Sequence, residues 1–511
     1  MLDSHQSTNF KPDNIIIDDI LPKLLASPPQ PPSKPITDQH YDNTIRRQLE
    51  YVRSIPFSVF LQKTYSDKNA LDVINPTLNT VPYTFVILAN ITYLSNRNEE
   101  MELKHFWSKI SSYLELFDTR QIRYLGDEFS SIIDAFINLS RQNDQSEHAI
   151  ISIREALLRI DPSGAVLTPN HVKLTKLALE SRKYHAIGQF LERVILYVPN
   201  SDNLPKPKYI CSLSLSAVAY ISADTSLAMK LKYIDVLEYF FNCGIACLGC
   251  RKWESALKHF ECAITFPTKD IVSKPMVEAY KKWILTGLIS MGKRPNLPRS
   301  TSTTVSRIYH VLAKPYESLA LIFENGTASR LKSEAEFGQR IWARDCNKGL
   351  VAQVLASYQK LQIRNLANIY SKISVSEVQN QTISAETGCK LSTVAEVESL
   401  VLNMIDGGDL SATISSSPDG LSILSFSPSG PILSEAQMQQ EIVSTISRVQ
   451  EISREISLTD RNLTYNPSFV RYLQRNKLGY KQRIGDIEGH VADYTMSWDA
   501  DVEDEDIMGV Y

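Results

Sequence analysis

The sequence is short of cysteine and of long apolar runs, and each shortage excludes a class of protein. Its 511 residues include 7 cysteines, an odd number spread thinly, which argues against a disulfide framework and favours a reducing cytoplasmic and nuclear location. Apolar stretches such as residues 84–94 are broken by polar side chains well before a bilayer would be crossed. Residues 1–14 have neither the basic nor the apolar region of a secretory signal. We therefore expect no membrane partner.

An excess of positive charge is also missing. Lys and Arg number 54 against 57 Asp and Glu, a formal net charge of −3, so no global basic field attracts nucleic acid or an anionic membrane. Hydrophobic residues make up 43% of the chain and charged residues 22%, which is typical of an ordinary soluble protein. A chain of this length is too long for one hydrophobic core, so two or more modules are expected.

What the sequence has instead is helical periodicity. Phe129, Ile132, Ile133 and Phe136 fall on one helix face, and no sustained two-residue alternation appears between residues 41 and 345. Ahead of this region, prolines at positions 28, 29, 31, 32 and 35 predict a disordered tail over residues 1–40. The fold class is therefore predicted to be mostly α.

One segment, residues 240–267, resembles a tetratricopeptide repeat. Gly244 and Ala256 are small where two antiparallel helices would approach each other closely. Phe260 would fill the groove toward the next repeat, and Pro267 would close the unit. These four residues are the predicted repeat-packing positions.

A weaker match to the same repeat pattern, an upstream repeat echo, lies at Ala186, Phe190 and Pro199. A single unit of this kind cannot bury its apolar face alone, so neighbouring units stack into an elongated array. We therefore predict a TPR-like helical-repeat solenoid, with repeats over residues 41–235 and 236–356.

The pattern changes after residue 357. A first helix is predicted to reach Ile373, and capping boxes at Ser374 and Thr393 open two more. Two short β-prone segments follow, near residues 411–415 and 421–426, joined by a Ser-Pro-Asp-Gly turn. Three helices and a two-stranded hairpin predict a winged helix over residues 357–427.

A last helix is predicted to begin at Ser434. It carries a narrow apolar seam, flanked by polar residues, that is formed by Met438, Ile442, Ile446, Val449, Ile452 and Ile456. A seam this narrow suits packing between helices better than burial in a globule. Residues 434–475 are therefore predicted to form a C-terminal helix and segment for a subunit bundle, and the acidic residues 476–511 a disordered tail.

Three patterns suggest chemistry, and each has a simpler structural explanation. Residues 287–293 match the skeleton of a phosphate-binding loop, but the stretch continues a helix and Arg294 occupies the position that needs a hydroxyl. Cys247 and Cys250 form a CxxC pair, which repeat packing explains better than zinc. The nine histidines form neither H-x-H nor H-E-x-x-H. We predict no catalytic residue, no cofactor and no metal.

Winged helices also occur in DNA-binding proteins, which leaves nucleic-acid binding as an alternative. Between residues 376 and 414, however, Lys390 is the one basic residue, and the acidic residues are Glu377, Glu386, Glu396, Glu398, Asp406 and Asp409. Such a surface repels phosphate. The open edge of the hairpin favours addition of a strand from another protein instead.

The order of helical repeats, an acidic winged helix and one long C-terminal helix resembles the PCI family. Its members are subunits of the proteasome lid, the COP9 signalosome and a large translation-initiation complex. Four segments are similar to the signalosome members in particular: residues 277–298, 347–353, 401–415 and 463–473. The resemblance extends over about residues 45–475 and implies a PCI domain over residues 236–427.

The resemblance implies a non-catalytic scaffold. The signalosome removes the ubiquitin-like modifier from cullins (deneddylation), so regulating cullin-RING ubiquitin ligases, and the isopeptidase activity belongs to a different subunit. PCI subunits would meet through their winged helices, with Leu421 and Ile423 as candidates for pairing at the sheet edge. All subunits would meet in a helical bundle that the seam enters. Other signalosome subunits are the expected partners, and a related subunit of the 26S proteasome lid is the alternative identity.

Overall fold

The computed structural model of the chain describes residues 16–26, 37–65, 67–94, 100–199, 207–213, 215–228, 231–267, 271–416, 422–427, 434–464, 469–471 and 474. The chain divides into two compact units, Met1–Gly407 with Thr413–Phe426 and Gly408–Ala412 with Ser427–Tyr511. The described helices are each too short or too polar to span a lipid bilayer.

The first unit is built almost entirely of helices, as the periodicity predicts. Its first half contains α1 (Ile17–Leu25), α2 (Asp38–Ser54), α3 (Phe57–Phe60), α4 (Ala70–Val73), α5 (Thr80–Leu94), α6 (Glu100–Leu116), α7 (Thr119–Ile122), α8 (Gly126–Gln142), α9 (Ser146–Ile160), α10 (Pro169–Glu180), a 3₁₀ turn (Tyr184–Ile187), α11 (Gly188–Leu191) and α12 (Ala217–Tyr220).

Its second half adds helices and then a small sheet. These elements are α13 (Tyr233–Gly249), α14 (Trp253–Ile264), α15 (Lys274–Met291), α16 (Thr303–Leu312), α17 (Lys314–Asn325), α18 (Ala328–Phe337), α19 (Gln339–Arg344), α20 (Lys348–Leu366), β1 (Lys372–Ser374), α21 (Val375–Gln381), α22 (Val394–Asp406), β2 (Ala412–Ser416) and β3 (Ser422–Phe426). The second unit contains α23 (Glu435–Thr464).

The N-terminal region contains a packed helix, so the prediction of a disordered tail over residues 1–40 is wrong there. α1 buries Ile17, Ile20 and Leu24, whose three- and four-residue spacing places them on one face. The side-chain amide of Gln48 in α2 donates to the Leu24 carbonyl at 3.0 Å. The prolines that suggested a tail lie outside the described residues, as do residues 476–511.

Among the described residues between 192 and 232, where the periodicity predicts helix, the one helix is the short α12 (Ala217–Tyr220). Tyr197 forms a parallel bridge with Val166. The run Val-Ile-Leu-Tyr-Val consists mostly of β-branched and aromatic side chains, which favour extended backbone. The upstream repeat echo is therefore not a helical hairpin: its buried Ala186 and Phe190 sit on short helical turns.

The predicted repeat over residues 240–267 is a helical hairpin formed by α13 and α14. Ala256 and Phe260 are fully buried. The ring of Phe260 points at Gly244 inside the hairpin, and not toward the next repeat as the template suggested. Pro267 is exposed just beyond the end of α14, so it stops the helix without contributing to the packing.

The segment that matched a phosphate-binding loop is the end of a helix, as predicted. α15 runs to Met291 without interruption, and Gly292 caps it in the left-handed conformation with φ of 72°. A phosphate-binding loop would need a strand ahead of it. This segment therefore has a structural role at the end of α15.

One continuous hydrophobic core runs through the first unit from Ile17 to Ala385. α10 packs on α13, so the predicted boundary between repeats at residue 235 does not interrupt this core. The repeats therefore pack as one body. The boundary between the two compact units falls near residue 407 instead.

The three strands form a sheet in the order β1-β3-β2. β1 pairs antiparallel with β3, with Ile373 opposite Leu424. The first helix was predicted to reach Ile373, but α20 ends at Leu366 and Ile373 instead becomes the centre of a strand. The capping box at Thr393 is confirmed, and the Ser374 hydroxyl accepts the backbone N–H of Glu377 at 3.2 Å.

Candidate subunit-binding surfaces

The apolar seam lies on α23, in the second unit. Its six side chains are between 49% and 63% exposed, and they are Met438, Ile442, Ile446, Val449, Ile452 and Ile456. From Met438 to Ile456 the chain advances 18 positions in five intervals, so neighbouring seam residues are on average 3.6 residues apart. This spacing equals one helical turn, so the seam follows one straight helix face. Ser434 and Gln437 form the predicted cap at its start.

No described residue of the second unit covers this helix. Every described side chain between residues 434 and 457 is exposed, on the polar faces as well as along the seam. A helix in water gains most of its stability from packing its apolar face, and α23 lacks that packing within its own unit.

The sheet of the first unit supplies a second surface. β3 is the central strand, so the backbone of Ile423 is already paired within the sheet, and the prediction that Ile423 pairs at the edge is wrong. Leu421 lies outside the described residues. The strand of the hairpin that lies at the sheet edge is β2, where strand addition would take place.

A buried polar network that periodicity does not reveal joins α15 to α17 and to the turn before α20. The ammonium of Lys282 donates to the side-chain carbonyl of Asn347 at 2.5 Å, and the Asn347 amide donates to the Tyr316 hydroxyl at 2.8 Å. Asp345 accepts from the Tyr316 hydroxyl at 2.9 Å and from Lys281 at 2.8 Å. Burial lowers the pKa of Lys282 below its ordinary value.

This network joins two of the segments that carry the family resemblance. Residues 277–298 contribute the two lysines, and residues 347–353 begin with the asparagine. Leaving a buried ammonium without its acceptor would be costly, so the two segments depend on each other. A pair of adjacent lysines inside an apolar helix was the signal in the sequence that could have revealed the network.

Cys243 and Cys247 are buried in positions that suit packing. Burial raises the pKa of the Cys247 thiol to about 12 and raises that of Cys243 as well, as expected of neutral thiols packed in an apolar core. Among the described residues, no group of three or more His, Cys, Asp or Glu side chains is placed to hold a metal ion.

The surface of α22 carries negative charge. Glu396 and Asp406 are exposed, Glu398 accepts a hydrogen bond from the Ser422 hydroxyl, and α22 has no basic residue. A helix that enters the major groove needs donors and cations on this face. The charge on α22 is therefore opposite to the charge that DNA binding would need.

The packed helices of the first unit and the amphipathic α23 define the class: a helical-repeat protein with one long amphipathic helix among its described elements. Comparison with known proteins is more specific. The family described as the N-terminal helical repeats of COP9 signalosome complex subunit 3 matches residues 57–305. The chain belongs to the family of COP9 signalosome complex subunit 3.

Two relatives that carry this name align with the chain over almost their whole length. The protein of Neurospora crassa is 31% identical over 472 residues, which cover 90% of this chain and 94% of the relative. The protein of Emericella nidulans is 29% identical over 505 residues, which cover 96% of this chain and 99% of the relative. These names favour the signalosome over the proteasome lid.

Proposed function

We propose that this chain is a non-catalytic scaffold subunit of the COP9 signalosome. It holds other subunits together while a different subunit removes the ubiquitin-like modifier from cullins. Membership of the subunit 3 family supports a place in that complex. The observation that supports the scaffold role is the seam of α23, six apolar side chains that the chain leaves about half exposed.

Burial of this seam provides the driving force for assembly. Covering the exposed half of one Ile, Val or Met side chain is worth about 1 kcal/mol, since full burial is worth roughly 1.5–3 kcal/mol. Six such side chains in one straight line suit a helical bundle, in which each helix covers the apolar face of its neighbours. Other subunits supply those helices.

The sheet supplies the second contact. α20, α21, α22 and the three strands support our assignment of a winged helix. We assign it to a PCI domain over residues 236–427. A neighbouring PCI subunit adds a strand at the β2 edge, where backbone hydrogen bonds give affinity. The acidic α22 supports a protein partner over nucleic acid.

The complex functions in the cytoplasm and nucleus. The described cysteines are all free thiols, which is consistent with a reducing compartment. Fluorescence microscopy of the tagged chain tests this location, and a signal confined to a secretory compartment would contradict it.

A deconjugation assay tests the scaffold role. The purified chain is incubated with a modifier-conjugated cullin, in parallel with the whole complex purified from the same host. We expect turnover by the complex and none by the isolated chain, since catalysis belongs to another subunit. Turnover by the isolated chain at a rate near that of the complex would contradict the proposal.

A further inference from the structure

A groove lies between α14 and the loop that follows α15, in the first unit. Its volume is about 510 Å³, within the range of ligand-binding pockets. The floor is apolar and consists of Leu257, Trp283, Met291 and Pro295. Trp283 is almost fully buried, and Met291 is 43% exposed. The floor therefore offers a place for one bulky apolar side chain.

The loop wall of the groove is held firmly in place. Pro295 lies directly on Gly287: a β-carbon at Gly287 would be 2.2 Å from the Pro295 Cγ. The backbone N–H of Arg294 donates to the Glu324 carboxylate, and the Arg294 guanidinium lies 3.6 Å from a carboxylate oxygen of Glu317. A wall fixed in this way needs little ordering when a partner binds.

The charged side chains on the rim of the groove indicate which charge a bound partner should carry. Lys258 and Lys293 line the groove and are exposed, and neither forms an ion pair with any described residue. Glu254 and Glu261 stand on the α14 wall, also without an ion pair among the described residues. Arg294 also lines the groove, so three cations stand against two carboxylates. This excess of one positive charge favours a partner with one acidic side chain, whereas the two glutamates repel a longer acidic run.

We propose that this groove binds an extended segment of a partner protein in which one bulky apolar residue stands next to a single acidic residue. The apolar side chain rests on Trp283 and Met291, and the acidic side chain lies between Lys258 and Lys293. Two carboxylates on the same rim disfavour the phosphates of nucleic acid. The site is separate from α23 and from the sheet, so it goes beyond the proposed scaffold contacts and does not depend on them.

Peptide binding to the purified full chain tests the proposal. The probes are fluorescein-labelled octapeptides in which Leu, Phe or Met precedes one Asp and all other positions are Gly or Ser. Fluorescence polarisation is followed up to about 1 mM protein, a range that covers an expected Kd of about 0.1 mM and a variant that binds about ten-fold more weakly. We expect saturable binding that weakens about ten-fold when the apolar residue becomes Ala and about ten-fold when Asp becomes Lys.

Charge reversal on the rim makes the test specific. Lys293→Glu should invert the preference, so that the Lys peptide binds about ten-fold more tightly than the Asp peptide. Lys274→Glu, an exposed lysine at the opposite end of α15, is the matched control and should change nothing. Absence of binding by every peptide, an unchanged preference in Lys293→Glu, or tighter binding of a peptide with a run of Asp would each overturn the proposal.

Discussion

A β-carbon placed on Gly244 would lie 2.4 Å from Cε1 of Phe260, closer than two nonbonded carbons approach in a packed protein. The two residues face each other across α13 and α14. The ring of Phe260 fills the space that the missing side chain leaves, and the ring of Phe241 lies 6.2 Å from it. The close approach of these helices thus depends on glycine at one position.

Gly244→Ala should destabilise the first unit by about 1–3 kcal/mol, because the buried Phe260 ring has to move to admit the methyl group. Chemical denaturation followed by circular dichroism measures the change. Gly349→Ala in α20 is the matched control, since a β-carbon there meets no atom within 4 Å. Its stability should stay level or rise slightly, as alanine favours helix. Equal losses in both variants would contradict this account.

Leu24→Ala should lower the free energy of unfolding by about 2–5 kcal/mol, because α1 buries this side chain completely. The neighbouring Lys23→Ala, on the outer side of α1, should have little effect. Urea denaturation compares the two variants. If Leu24→Ala unfolded at the wild-type urea concentration, α1 would not be part of the core in solution.

The double variant Ile442→Asp, Val449→Asp should leave the first unit folded and release the chain from its partners, because two charges interrupt the seam. Gln440→Asp with Ser447→Asp is the matched control: it has the same spacing of seven residues on the opposite face of α23. Affinity purification of the tagged chains measures the partners retained. Undiminished recovery of partners with the seam variant would show that α23 is not an assembly element.

His171 should make stability depend on pH. Its Nδ1 accepts the Thr168 backbone N–H at 3.2 Å, and burial lowers the His171 pKa from 6.5 to about 3. Below pH 6.5 the unfolded chain therefore binds a proton that the folded chain does not, and stability falls as pH falls. The expected loss from this residue between pH 7.5 and pH 5 is about 2 kcal/mol.

Denaturation at several pH values measures this effect. His171→Gln removes the titrating group, so its stability should fall less steeply between pH 7.5 and pH 5. His40→Gln, at an exposed histidine of α2, is the matched substitution control. A slope in His171→Gln equal to that of the wild type would mean that His171 is protonated in the folded chain.

Sequence periodicity predicted the helices whose apolar residues repeat along one face. It missed the strands and pairings that depend on contacts between distant parts of the chain. The hairpin of α13 and α14 and the seam of α23 follow from spacing along one helix face. The strand at Ile373 was missed because three residues carry too little periodicity to be distinguished from the end of a helix. Ile423 was wrongly predicted to lie at the sheet edge because β1, which pairs with β3, was not predicted as a strand. β1 lies about fifty residues earlier in the chain.

Helix α1 and the groove beside Trp283 were not predicted from the sequence either. α1 was hidden by the prolines that follow it, although its apolar spacing is regular. The groove floored by Trp283 depends on a loop that folds back onto its own helix, and a proline resting on a glycine eight residues earlier leaves no periodic signal.

Native mass spectrometry of the tagged chain purified from its host tests the central claim most directly. The scaffold account predicts that the chain appears in an assembly of several different subunits, with masses that match signalosome components. Collisional release of single subunits identifies its neighbours. A preparation in which the chain is a fully functional monomer, free of other subunits, would contradict the account.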